Sequence, residues 1–181
     1  MDPVSADVII DRPREEVFEY LADIANHAEF CDHYLVDWRL TREDSYGVGA
    51  GARYKIKTPV RSRYNFGDST LVEVAPHQIV ERGRMGKFNR ILTRGVYELR
   101  DHSGGATRVT FTFESKPKHL SDRLNEKLGA SWFKRKNKKA LTRLRDILEE
   151  DRGRGTRPSV AGGARKPASA FRFRPDLEQQ S

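Results

Sequence analysis

The alternation of apolar and polar positions divides the chain into strands and helices. Val4, Ala6, Val8 and Ile10 alternate with Ser5, Asp7 and Ile9, the period-two pattern of a half-buried strand. At Val17, Phe18 and Leu21 the period becomes helical, with Arg14, Glu15, Glu16 and Glu19 on the wet side. Asp11 is expected to cap this helix, and Pro13 falls where a first-turn proline is tolerated. A second short helix is predicted from Ile24 to Phe30. Six strands then follow. Tyr34 to Thr41 alternates weakly, with Trp38 and Leu40 on one face. Ala52 to Thr58 sets Tyr54 and Ile56 opposite Arg53, Lys55 and Lys57. Thr70 to Val74 and Ile79 to Arg84 are at hairpin distance. Arg90 to Arg100 and Thr107 to Ser115 flank a Ser103-Gly104-Gly105 turn. Val109, Phe111 and Phe113 give the cleanest alternation, so one face of the sheet is buried and the other wet.

A long proline-free segment from Leu120 to Glu150 predicts a helix with apolar residues in two phases. Leu120, Leu124 and Leu128 form one stripe; Phe133, Ala140, Leu141, Leu144 and Leu148 form another, roughly opposite. One straight helix does not bury both stripes on one side, so a kink or break is expected near Gly129. The whole pattern predicts an α+β fold in which a long C-terminal helix closes over a curved antiparallel sheet.

Composition changes this picture mainly at the C-terminus. Hydrophobic residues make up 36% of the 181-residue chain, and beyond Asp151 the large apolar residues are only Val160, Phe171, Phe173 and Leu177. Residues 152–181 hold seven basic and two acidic residues, so the tail carries +5 of the net +8. Gly, Pro, Ser and Arg dominate there without a period. The expected organisation is a domain over residues 1–151 and a basic, disordered tail over 152–181. The single cysteine, Cys31, excludes an intramolecular disulfide. Acidic residues interrupt any apolar leader near Met1, and no apolar run reaches the roughly 20 residues that span a bilayer. A cytoplasmic location is expected.

Strand, two helices, six strands and a long helix is the order of the helix-grip architecture. The segment VSADVIIDRPREEVFEYLADIANHAEF resembles the opening of the polyketide cyclase/dehydrase and lipid-transport (START/Bet v 1-like, SRPBCC) superfamily, on Pro13, Val17, Phe18, Leu21, Asp23, His27 and Phe30. GVGAGARYKIK resembles that superfamily's turn into its third strand, and ALTRLRDILEE its C-terminal helix. The resemblance covers about residues 3–150. It implies a sheet of about seven strands and a cavity between sheet and long helix that takes an apolar or amphipathic small molecule. Trp38, Tyr54, Ile56, Tyr97, Phe111 and Phe113 on the sheet, facing Phe133, Leu141 and Leu144 on the helix, are the expected wall. The alternative is that these aromatics interdigitate and leave no space.

Candidate chemistry is sparse. Glu81 is a possible base if it shares the inward face with Ile79, but an outward Glu81 with Val80 inside is the favoured reading. Asp32 and His33 are further acid–base candidates. His27 and Cys31 stand four apart and His33 follows, but the spacing matches no zinc signature, so no metal and no cofactor are expected. Gly47-Val48-Gly49-Ala50-Gly51 precedes a strand and not a helix, so it is no dinucleotide loop. The run Lys134, Arg135, Lys136, Lys138 and Lys139 scatters around the helix and reads as a solvated face. With the tail it could touch an anionic membrane, while a main role in nucleic-acid binding is not expected. The sequence therefore points to binding of a small hydrophobic ligand, with a cyclase- or dehydratase-like enzyme in the same pocket as the alternative.

Overall fold

The computed structural model describes residues 2–58, 64–117 and 120–158, with side chains omitted for 120–128. Strand β1 (Val4–Ile10) leads into two short helices, α1 (Arg14–Leu21) and α2 (Ile24–Cys31). Strands β2 (Leu35–Leu40), β3 (Gly51–Lys57), β4 (Tyr64–Ala75), β5 (Gln78–Met85), β6 (Ile91–Asp101) and β7 (Thr107–Lys116) follow, and α3 (Leu120–Glu150) ends the fold. All seven strands form one antiparallel sheet in the order β1-β7-β6-β5-β4-β3-β2. The expected α+β helix-grip architecture is the observed one.

Sequence neighbours pair as hairpins except at β1, which closes onto β7 with Val4 opposite Phe113 and Ile10 opposite Thr107. The inward face carries Ile79 of β5, Tyr97 and Leu99 of β6, and Val109 and Phe111 of β7, all buried. Against it pack Val17 and Leu21 of α1, Ile24 and Phe30 of α2, and Ala140, Leu141, Leu144 and Ile147 of α3. Burying such apolar surface is the main force holding helices to sheet, at roughly 25 cal/mol per Å².

Three expectations need correction. The cap of α1 is not Asp11: the helix starts after Pro13 with no side-chain cap. The Asp11 N–H instead donates to Glu149 Oε1 at 2.6 Å, which ties β1 to the end of α3. The side-chain cap belongs to α2, where Asp23 accepts from the Ala25 N–H at 3.0 Å. Of the kink or break expected near Gly129, the break is absent, since α3 is continuous from Leu120 to Glu150. One glycine costs a helix about 1 kcal/mol, too little to end it. The stripe of Leu120, Leu124 and Leu128 lies outside the described side chains. Finally, β4 starts at Tyr64, six residues before its expected start. Its first three residues, Tyr64, Asn65 and Phe66, are exposed and Gly67 and Asp68 follow, so no run of alternating buried apolar residues marks it.

The weak alternation in β2 has a structural cause. Register slips between Val36 and Arg39, and Asp37 takes φ 55°. Lys55 Nζ holds the Asp37 carboxylate at 2.7 Å. This β-bulge re-aims Trp38, whose indole N–H donates to Leu35 O at 3.1 Å.

Residues 152–158, assigned to the tail by composition, lie against α2. The Gly155 N–H donates to Glu29 O at 2.9 Å, and Arg143 donates to Gly153 O at 2.8 Å. Arg154 pairs with Glu29 at 2.5 Å, and Arg157 with the fully buried Asp23 at 2.5 Å. Residues 159–181 lie outside the described residues.

Candidate functional site

A cavity of about 50 Å³ lies between the concave face of the sheet, α2 and α3. Its floor is buried: His27 and Cys31 from α2, Tyr34 from the turn after it, Tyr97 from β6 and Phe111 from β7. Its rim is partly exposed: Trp38 from β2, Tyr54 from β3, Phe113 from β7 and Phe133 from α3. The rings engage one another. Trp38 and Tyr54 lie 4.7 Å apart, Tyr97 and Phe111 4.4 Å, and Phe113 stacks on Phe133 at 5.1 Å. Trp132 meets Phe133 edge-on at 4.9 Å. Both tryptophans of the chain therefore stand at the cavity or against its rim.

Seven of the expected wall residues line this space: Trp38, Tyr54, Ile56, Tyr97, Phe111, Phe113 and Phe133. Leu141 and Leu144 do not. They point into the main core two to three turns further along α3. The interdigitation alternative also holds in part. At roughly 30 Å³ per water, the space takes one or two solvent molecules. Drug-sized pockets run from about 300 to 1,000 Å³. A ligand of ring size needs more space than the cavity has in this structure.

Glu81 faces inward, against the favoured sequence reading. Ser69 Oγ donates to Glu81 Oε2 at 2.5 Å. Gly95 lies directly across the β5–β6 ladder from Glu81. A Cβ on Gly95 would meet Glu81 Oε1 at 2.5 Å and Cγ at 2.8 Å. The carboxylate thus occupies the space that the glycine leaves open. Ile79 stays inward as well, and Val80, also buried, pairs with Val96 on the convex side.

Burial sets the protonation of the remaining polar groups. Desolvation, followed by the Glu81 charge, pushes the Tyr54 and Tyr97 phenols well above their ordinary range. Desolvation also raises the Tyr34 phenol and the Cys31 thiol. All four stay protonated at neutral pH. They can orient a ligand by hydrogen bonding, and Cys31 is no thiolate nucleophile. Tyr34 Oη donates to Asn137 Oδ1 at 3.1 Å, and Asn137 is buried on α3. Its Nδ2 has no partner among the described residues. A buried unpaired amide N–H costs about 1–3 kcal/mol, so an acceptor placed in the cavity gains a ready donor.

Asp32 and His33 do not reach the cavity. Asp32 is paired with Arg143 of α3. His33 Nε2 donates to Lys136 O at 3.2 Å, and desolvation lowers the imidazole to about 4. His27 is turned by its own bond from Nε2 to Leu21 O at 2.8 Å. His27, Cys31 and His33 therefore do not converge, and no trio of ligating side chains stands together among the described residues.

Asn137 and Gly95 carry sequence signals. Asn137 is the uncharged position inside the run Lys134–Lys139, in phase with Phe133, Leu141 and Leu144. Gly95 interrupts a β-rich segment, which marks a close approach by another group. Tyr34, Leu35, Met85 and Thr93 complete the lining without any local signature.

A family model described as polyketide cyclase / dehydrase and lipid transport matches residues 1–149. The Zhui aromatase/cyclase from Streptomyces sp. R1128 has a similar structure, with TM-score 0.61 and 18% identity over 83% of this chain and 98% of that one. A protein from Thermus thermophilus superposes with TM-score 0.61 and 14% identity, covering 83% and 99%. One from Chromobacterium violaceum gives 0.60 and 14%, covering 83% and 100%. At these identities the likeness is one of fold. No curated protein matches the chain.

Proposed function

We propose that this chain, which belongs to the polyketide cyclase / dehydrase and lipid transport family, binds a small amphipathic ring compound between its sheet and α3. The observation that carries this reading is a polar pair set inside aromatic walls. The Glu81 carboxylate and the free Asn137 amide N–H both line one cavity whose other surfaces are mostly rings and aliphatic groups. Apolar walls supply the affinity, and the acceptor and donor fix the orientation. A ligand bearing a hydroxyl for Glu81 and a carbonyl for Asn137 answers both groups.

Native mass spectrometry of freshly purified protein tests this, followed by identification of any retained small molecule. Retention of a ring compound carrying a hydroxyl and a carbonyl supports the reading. Retention of a saturated acyl chain with no group for Asn137 contradicts it.

Glu81 favours a second reading, a cyclase- or dehydratase-like enzyme. A carboxylate inside a ligand cavity, next to phenols that stay protonated, is the equipment for moving a proton from a carbon or oxygen acid. Glu81→Gln separates the two readings. Under binding alone it weakens affinity by about ten- to a hundredfold, the worth of one charge-assisted hydrogen bond. Under catalysis it leaves binding near wild type and lowers turnover by about 10²–10⁴.

A further inference from the structure

The sheet presents a second distinctive surface on its convex side, at the end where β5 turns into β6. Phe66 of β4 is 61% exposed and lies opposite Lys55 of β3. Leu92 of β6 is 45% exposed and sits between Arg84 of β5 and Lys116 of β7. Phe88, at the tip of the β5–β6 turn, is 83% exposed, and the Lys87 ammonium lies 5.1 Å from its ring centre. The Gly86 N–H donates to Phe66 O at 3.1 Å, which fixes this turn against β4. Single exposed apolar side chains need no explanation. Here three lie on one strand-end surface, each beside a cation.

Two further observations point to an anionic, apolar partner. Phe88 and Asn89 hold φ 59° and 51°, a conformation that costs ordinary residues stability and here props an aromatic ring out into solvent. Beside Leu92 runs a cleft of about 390 Å³ lined also by Arg82, Arg94 and Lys116, with Glu114 as its one acid. Arg82 stands directly across the ladder from Arg94. Like charges in that position repel. Glu114 answers Arg94 at 3.8 Å, while among the described residues Arg82 and Arg84 make no ion pair.

We propose that this face docks on an anionic lipid surface. Phe88 and Phe66 enter the boundary between headgroups and acyl chains, and Arg82, Arg84, Lys87 and Lys116 meet headgroup phosphates. The layout fits lipid better than single-stranded nucleic acid. Stacked bases need a run of aromatic faces, whereas Phe66 and Leu92 are separated by β5 and Leu92 has no ring. The face adjoins the cavity, because Thr93 lines both the cavity and the convex cleft, and Met85 lines the cavity at the end of β5. The docking goes beyond the cavity reading and holds whether or not a ligand binds there.

Sedimentation of the full chain with vesicles of phosphatidylcholine, alone or mixed with phosphatidylserine, provides the test. Salt-sensitive binding to the mixed vesicles only is the expected result. Phe88→Ser and the pair Lys87→Glu with Lys116→Glu each weaken it by about tenfold or more, with unchanged circular dichroism. Replacing Arg165, Lys166, Arg172 and Arg174 by Gln leaves most of the binding intact. Four results overturn the proposal: no binding to mixed vesicles; binding indifferent to Phe88 and the two lysines; binding lost only with the tail substitutions; or a single-stranded nucleic acid bound through these residues while vesicles are ignored.

Discussion

Gly95 and Glu81 form the pair on which the inside of this molecule turns. A methyl group at position 95 would collide with the Glu81 side chain, from its Cγ to its carboxylate. Gly95→Ala is therefore expected to destabilise the fold by about 1–3 kcal/mol and to displace the carboxylate from Ser69. Urea unfolding reads the first effect. Ligand affinity reads the second, and a fall much larger in Gly95→Ala than in Ser69→Ala fits the geometry. The pair also shows how a local sequence argument fails. Ile79, Val80 and Glu81 allow either face inward by alternation, and the apolar side chain of Val80 makes it the favoured choice. The decision comes from the β5–β6 register, a non-local fact, which places Glu81 across from a residue without a side chain.

His33 gives a second residue-level prediction. Its imidazole titrates near 4 in the folded protein and near 6.5 when unfolded, because desolvation disfavours its charged form. A depressed histidine binds its proton more readily in the unfolded chain. Its contribution to stability is full above about 6.5 and is lost as pH falls from there towards 4. His33→Asn keeps a donor for Lys136 O without the titration. The difference in stability between wild type and this variant, followed by thermal unfolding, should shrink or change sign across that window.

At the scale of elements, α3 and the segment after it depart from the reading of the sequence for physical reasons. The helix tolerates Gly129 because thirty other residues hold its hydrogen-bond ladder. A Cβ there would meet only the Phe133 ring edge, at 3.9 Å. Gly129→Ala is accordingly expected to stabilise the protein by roughly 0.5–1 kcal/mol. A destabilised variant would instead mean that the glycine is needed for a bend. The apolar stripe that matters is legible at Leu141 and Leu144, yet it builds the core and not the cavity. Only its first turns, at Phe133 and Asn137, reach the cavity.

The segment after α3 is hidden in the sequence because its apolar content is low. Charge holds it, not burial of apolar groups. Arg157 and Arg154 reach Asp23 and Glu29, whose side chains are 1% and 6% exposed. Removing a partner leaves a buried carboxylate unanswered. Arg157→Ala is expected to cost about 1–3 kcal/mol, most of which should vanish in the background Asp23→Asn. Equal costs in both backgrounds would show that Arg157 acts through packing alone.

At the scale of the whole molecule, the order of strands and helices is legible because hairpin and helical periods differ and glycine-rich turns punctuate them. The closure of β1 onto β7 is not encoded locally. It follows from the common inward phase of Val8 and Val109 once the chain folds back. Six of the seven wall residues are legible because a curved sheet gathers every second residue of each strand on one side, and the seventh, Phe133, is legible from the apolar stripe of α3. The polar members of the site come from the register and from one uncharged position in a basic run. No helix among the described residues is long and apolar enough to cross a membrane.

We propose that the small cavity between sheet and α3 is a ligand site entered at its aromatic rim. A nitrogen–proton correlation spectrum recorded during titration with 1-naphthol tests it most directly, with Thr93→Phe as the cavity-filled control. A ligand site there gives saturable shifts concentrated on Cys31, Tyr34, Thr93 and Asn137, together with Trp38 and the Phe133 turn, and their loss in the control. Shifts scattered over the convex face, or identical in the folded control, would contradict it.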